Sequence, residues 1–132
     1  MVSDRVGDFI IRLQNAALVG KREVLTPYSA HLSAIAAKLK QLGFIVSFET
    51  KEKDGVKRTL VVTLAYDEHG NAKMRGVKRV SKPGRRLYAP HTKTHTVKGG
   101  TGARILSTSA GILTDAEVRR KHIGGETMFE IW

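Results

Sequence analysis

The spacing of the apolar residues changes halfway along the chain, and that change bounds the fold. From residue 4 to 19, Val6, Phe9, Ile10, Leu13 and Ala17 recur at three and four, making one helical stripe that Gly20 ends. A second stripe, Leu32, Ile35, Ala36 and Leu39, begins after Ser29, a residue able to cap it, and stops at Gly43. "EVLTP" reads as a short strand ended by Pro27. In "FIVSFET", Phe44, Val46 and Phe48 alternate with Ile45, Ser47 and Glu49, the pattern of a half-buried strand. "RTLVVTLAY" is its partner across the polar loop "KEKDGVK", which holds an Asp-Gly turn. Beyond residue 66 helical spacing nearly vanishes. "AKMRGVKRVS" alternates weakly, "KPGRR" turns, and "APHTKTHTVKGGTG" has no period and reads as a loop. "ARILSTS" and "GILT" are strands about a bend at Ala110-Gly111. Thr114 and Glu117 have capping-box spacing and open a short helix through about His122. "ETMFEIW" is a last strand, with Thr127, Phe129 and Ile131 expected on one face. The expectation is therefore an α+β chain. Residues 1–66 form an α-β-α-β-β subdomain, and residues 67–132 form a mostly antiparallel β subdomain with one short helix.

Charge narrows the partners. The 132 residues carry 23 Lys and Arg against 12 acids, a net +11. The excess is uneven, +4 over residues 1–66 and +7 over 67–132, and between Glu68 and Asp115 ten cations occur without one acid. Such a stretch repels itself unless something anionic answers it, and a phosphate polymer is the usual answer. Hydrophobic residues make up 41% of the chain, enough for a packed core. With no cysteine, disulfide frameworks, thiolate zinc sites and cysteine nucleophiles are excluded, and a reducing cytosol fits. No apolar run approaches the ~20 residues of a membrane span. The first residues, with Asp4 and Asp8, do not have the basic-then-apolar order of a signal peptide.

The stretch "STSAGILTD" (107–115) poses the functional question, because three adjacent hydroxyls serve equally as nucleophile, helix cap or fingers on a nucleic acid. It lacks the Gly-x-Ser-x-Gly elbow, and none of His31, His69, His91, His95 and His122 is marked out as its base. No catalytic residue is expected. His91 and His95 have the spacing of a metal pair on a helix, but they follow Pro90 without helical pattern and without a third ligand, so no metal is expected. "KGGTGAR" matches neither the P-loop nor the dinucleotide fingerprint and reads as a flexible loop. No cofactor is expected. Thr114, Asp115 and Glu117 are assigned to capping and to the helix dipole. Tyr88, just after Lys82-Pro-Gly-Arg85-Arg86, is either a base-stacking aromatic or a strand residue in the core.

"RILSTSAGILTDAE" followed by "GGETMFEIW" resembles the signature region of the bacterial small-subunit ribosomal protein eight family. "SDRVGDFIIRLQNA", "PYS", "LGFI" and "KRVSKPGRRLY" match the same family in the same order, so the resemblance runs from Val2 to Trp132. It implies a two-domain, non-enzymatic primary binder of 16S rRNA in the cytoplasmic ribosome. Such a protein helps assemble and stabilise the central domain (the platform) of the small subunit, and in many bacteria it represses its own operon mRNA. The partners implied are a central-domain stem and neighbouring small-subunit proteins. The residues matching the family's grip are Ser107, Thr108 and Ser109, with Gly124, Gly125 and Glu126, and Tyr88. Lys82, Arg85 and Arg86 complete the expected RNA-binding set. Glu126 is the odd group near phosphate, suited to a base amino group, to a 2′-hydroxyl or to a nearby Arg. Arg5, Gln14, Ala30 and Val118 depart from the family pattern. Two rivals remain: an architectural DNA binder, which lacks any helix-turn-helix pattern, and a serine or threonine enzyme, which an active-site probe would label.

Overall fold

The computed structural model describes residues 4–53, 57–90 and 102–132. The Asp-Gly turn expected in "KEKDGVK" and most of the "APHTKTHTVKGGTG" loop, including His91 and His95, lie outside the described residues. The chain packs as two compact units, one of Asp8–Arg75 and one of Met1–Gly7 with Gly76–Trp132. The elements run α1 (Arg5–Val19), β1 (Glu23–Pro27), α2 (Ala30–Leu42), β2 (Ile45–Lys53), β3 (Lys57–Leu64), β4 (Val77–Arg79), β5 (Tyr88–Ala89), β6 (Ala103–Thr108), β7 (Gly111–Thr114), α3 (Asp115–Lys121) and β8 (Gly125–Ile131). This is the α+β architecture that the change of period predicts.

In the first unit a three-stranded antiparallel sheet of order β1-β3-β2 carries the core. The two predicted stripes supply Phe9, Ile10, Leu13, Leu32, Ile35, Ala36 and Leu39, all buried, to a core that also holds Leu60, Val62 and Leu64 of β3. Each of these side chains larger than alanine stabilises the fold by about 1.5–3 kcal/mol through the apolar surface it removes from water. The Ser29 hydroxyl accepts from the Leu32 N–H at 3.0 Å, and Gly43 ends α2 in the left-handed region at φ 88°. One expectation fails here. Val46 does not share a buried face with Phe44, because it is 57% exposed while Ile45 is buried. The β2–β3 register shifts between Ile45 and Ser47, which resets the alternation. Residues 66–75 also belong to this unit: Tyr66 bridges Ala72, its hydroxyl donates to the Lys21 carbonyl, and the Lys73 N–H donates to the Ala65 carbonyl at 2.9 Å.

The second unit is an antiparallel sheet in the order β4-β8-β6-β7, with β5 also on β8. Leu106, Leu113 and Val118 form a buried cluster that seats α3 on the sheet. Val118, the departure from the family pattern, is therefore a core residue. Thr114 and Glu117 form the predicted capping box, and α3 ends at His122 in the left-handed region at φ 56°. Thr127 does not share a face with Phe129. The β6–β8 ladder shifts between Ile105 and Leu106, so Phe129 stands opposite Ile105 but Thr127 stands opposite Leu106. Neighbouring residues of a strand point to opposite faces, so Thr127 and Phe129 do too. Met128 fills the shift and is itself buried.

Candidate nucleic-acid interface

Strand register assembles residues that lie far apart in the chain. Tyr88 stands opposite Glu126, Glu126 opposite Ser107, and Ser107 opposite Ile112, a single row across β5, β8, β6 and β7. Directly opposed side chains on one face are in contact range. Around this row an open groove is lined by Tyr88, Ala89, Pro90, Ser107, Thr108, Ser109, Gly124, Gly125 and Glu126. Seven of the expected site residues thus meet in one place. Tyr88 is 74% exposed, which removes the core-residue alternative.

The three hydroxyls are not equivalent. The Thr108 hydroxyl donates to the Gly111 carbonyl at 2.8 Å and accepts from the Ala110 N–H at 3.1 Å. It closes the turn between β6 and β7, and Gly111 completes that turn at φ 106°. The side-chain hydroxyls of Ser107 and Ser109 have no hydrogen-bond partner among the described residues, so they remain able both to donate and to accept.

The two glycines act by their size. A Cβ on Gly125 would lie 2.5 Å from the Ser107 carbonyl oxygen and 2.7 Å from Thr108 Cγ2. One on Gly124 would lie 2.7 Å from the Ala89 carbonyl oxygen. Neither glycine has a positive φ, so close approach of backbones, not backbone conformation, excludes a side chain there.

The cations divide as well. Arg86 Nη1 donates to Glu126 Oε2 at 3.2 Å, with the carboxylate only 15% exposed. The nearby-Arg role for Glu126 is therefore occupied in this structure. Lys82 and Arg85 pair with each other only through their backbones, across the turn at Gly84, and their side chains have no carboxylate partner among the described residues. Three further supports had no signal in the sequence. Arg79 bridges Asp4 at 3.0 Å and donates to the Met128 carbonyl at 2.6 Å. The buried Ser81 hydroxyl accepts from the Leu87 N–H at 2.9 Å and donates to the Leu87 carbonyl at 3.2 Å, pinning the turn that carries Lys82, Arg85 and Arg86. Asp115, buried, accepts from the Arg104 N–H at 3.0 Å and from Arg119 at 3.2 Å. Arg79 and Asp4 lie 75 residues apart, and no local pattern relates them.

Partial burial pushes the Asp4 carboxyl up, but the Arg79 guanidinium and the Gly7 N–H outweigh it and hold Asp4 below its ordinary value of 3.8. Among the described residues no group of three or more His, Asp or Glu could hold a metal ion, and no helix is long and apolar enough to cross a membrane.

An open, shallow groove with small neutral donors and acceptors, an exposed aromatic and unneutralised cations nearby is the class of surface that accommodates a polyanion. It does not enclose a small molecule. The comparisons with known proteins agree with that class. The family model described as Ribosomal protein S8 matches residues 4–132. A small ribosomal subunit protein uS8 of a Nocardioides species is 40% identical, over 99% of this chain and 98% of its own length. The uS8 protein of Helicobacter pylori is 39% identical over the whole of both chains. That of Rhodococcus erythropolis is 40% identical over 99% of this chain and 98% of its own. The chain belongs to the ribosomal protein S8 family, an rRNA-binding family of structural, non-enzymatic proteins.

Proposed function

We propose that the chain, a constituent of the small ribosomal subunit, grips an irregular stem of the 16S rRNA central domain in the Tyr88–Glu126–Ser107 groove and so helps that domain assemble. The observation that carries this reading is the pair of uncommitted hydroxyls, Ser107 and Ser109, in a groove where two glycines let neighbouring backbones close up. Duplex RNA hides its base edges in a deep, narrow major groove. Proteins therefore use the shallow minor groove, its 2′-hydroxyls and irregular bases. Short hydroxyl side chains reach those groups at close range, and Tyr88 offers an exposed ring to an unstacked base. Lys82 and Arg85 supply salt-sensitive attraction to phosphate. Glu126, held by Arg86, keeps acceptor capacity for a base amino group or a ribose hydroxyl. Other proteins of the small subunit are the expected neighbours. A surface that reads an irregular stem by shape also binds the same stem elsewhere, so repression of its own operon mRNA follows if that mRNA carries one.

The test is binding to a short 16S central-domain stem against a duplex DNA competitor of the same length, across a salt titration. Tight RNA binding that survives the competitor supports the reading. Equal, steeply salt-dependent binding to both nucleic acids would leave only the net charge as an explanation.

A further inference from the structure

One edge of β8 is followed by two separate pieces of chain that run the same way. β4 pairs Val77 with Ile131 and Arg79 with Phe129, and β5 pairs Tyr88 with Glu126 and Ala89 with Gly125. Carried on at the register of β4, the ladder would put Lys82 opposite Glu126. Tyr88 stands there instead, so six residues are looped out of the edge. The chain leaves β8 at the Met128 carbonyl, which accepts from the Val80 N–H at 3.0 Å, from the Ser81 N–H at 3.3 Å and from Arg79 Nη1 at 2.6 Å. It returns at Leu87, whose carbonyl accepts from the Thr127 N–H at 2.9 Å.

β5 by itself determines that return weakly. It holds two residues, and Pro90 after it has no N–H with which to lengthen the ladder. A slip of one residue would turn Tyr88 to the opposite face of the sheet. Within the loop, Lys82 and Arg85 exchange backbone hydrogen bonds at 3.0 and 2.9 Å and Gly84 turns at φ 83°, which shapes the tip but does not tie it to β8. In a regular antiparallel ladder a hydrogen-bonded pair exchanges two backbone bonds. Leu87 gives only its carbonyl to Thr127. Its N–H donates to Ser81 Oγ at 2.9 Å, and the same hydroxyl donates to the Leu87 carbonyl at 3.2 Å. A buried side chain thus stands in for a rung of the sheet at the point where the register is set.

We propose that Ser81 is a positioning residue of the RNA site: its hydroxyl closes the six-residue loop and so fixes the register that puts Tyr88 opposite Glu126. The inference rests on the reading of the hydroxyl groove above and adds to it a residue that does not touch RNA. Without the hydroxyl, the Leu87 N–H loses its partner and the two-residue ladder is free to slip. Tyr88 then faces the groove in only a fraction of the molecules, and affinity falls in proportion to that fraction. The Arg86–Glu126 pair, one residue before Leu87, depends on the same closure.

The experiment has two arms, both on the full chain. The first needs no RNA. Tyr88 and Glu126 form a pair without backbone bonds to each other, whose Cα atoms approach to about 4.5 Å, so their Hα protons give a strong NOE. Ser81→Ala is expected to lose that cross-peak and to keep those between β6 and β8. The second arm measures affinity for the irregular central-domain stem in Ser81→Ala, Tyr88→Ala and the double variant. Each single change should weaken binding by about fivefold to a hundredfold, the range for one base stacked on an aromatic. The double variant should bind within about twofold of Tyr88→Ala, because both changes remove the same contact. If the alanine variant does not fold, Ser81→Cys, which fills the space with a poorer donor and acceptor, takes its place in both arms. A Tyr88–Glu126 cross-peak that persists overturns the proposal, and so do losses that multiply in the double variant, since Ser81 would then act by another route. Failure of the unaltered chain to bind the stem overturns the groove reading instead. That result appears before any variant is made, and the spectra of the free protein then decide by themselves whether Ser81 sets the register.

Discussion

The turn that ends α2 and the groove between β6 and β8 both depend on glycine, for different reasons. Gly43 adopts φ 88° and has nothing within 4 Å of where a Cβ would sit. It is needed for a conformation that L side chains avoid. Gly125 has an ordinary φ, but a Cβ there would press on the Ser107 carbonyl and the Thr108 methyl. It is needed for space. A conformational glycine answers to its neighbours in sequence, whereas a spatial one answers to a strand almost twenty residues away. In the first unit the devices are local: stripes, a serine cap and a left-handed stop. In the binding groove nearly every device is a contact between distant segments.

The largest effect that separates the two is Gly125→Ala. It should cost about 1–3 kcal/mol of stability in chemical denaturation, because the clash is with backbone rather than a movable side chain, and it should weaken RNA binding as well. Gly43→Ala should cost about 1–2 kcal/mol through the left-handed backbone and leave RNA affinity unchanged. If Gly125→Ala melts like the unaltered chain and binds RNA as well, the contrast is wrong.

Next in size is the division among the hydroxyls. Ser107→Ala with Ser109→Ala should weaken binding of the central-domain stem by about 1–3 kcal/mol, two hydrogen bonds of ordinary strength, with little change in stability. Thr108→Val should do the reverse, costing about 1 kcal/mol of stability by opening the β6–β7 turn. Equal effects of both variants on RNA affinity would show that Thr108 is also a ligand group.

A smaller effect concerns Asp4. Its folded-state value lies below the ordinary 3.8, so its contribution is fully present above the unfolded value and is lost as pH falls through the folded one. Asp4→Asn should therefore lower stability by about 1 kcal/mol near neutrality, discounted for partial exposure. That deficit should shrink as the pH is taken below about 4, where the native carboxyl protonates too. A deficit that stays constant down to strongly acid pH would mean that the charge on Asp4 does not matter.

The smallest effect is Lys82→Gln, expected to flatten the salt dependence of RNA binding by up to about one unit of slope. An unchanged slope would place Lys82 in solvent. Arg86, tied to Glu126, should change the slope less than Lys82 does, and a larger change would show that the ion pair opens on binding.

Much of this molecule was legible in the sequence. Helical spacing marked α1 and α2, the Ser29 and Gly43 signals bounded α2, and the Thr114–Glu117 spacing gave the box on α3, because each rests on contacts within a few residues. The acid-free stretch and the Ser-Thr-Ser and Gly-Gly-Glu blocks pointed to the candidate residues. Two face assignments, Val46 and Thr127, were wrong for one reason: a ladder shift moves a strand's alternation by one, and a bulge leaves no mark in hydrophobic pattern. Only the tertiary structure could decide which cations are paired, because Arg79, Arg86 and Arg104 each meet an acid far away in the chain, whereas Lys82 and Arg85 meet none among the described residues. Only register could show that Tyr88, Glu126 and Ser107 form one row. Local sequence specifies what a residue is able to do with its neighbours in the chain. Which of its hydrogen bonds and charges remain available is fixed by the segments that pack against it.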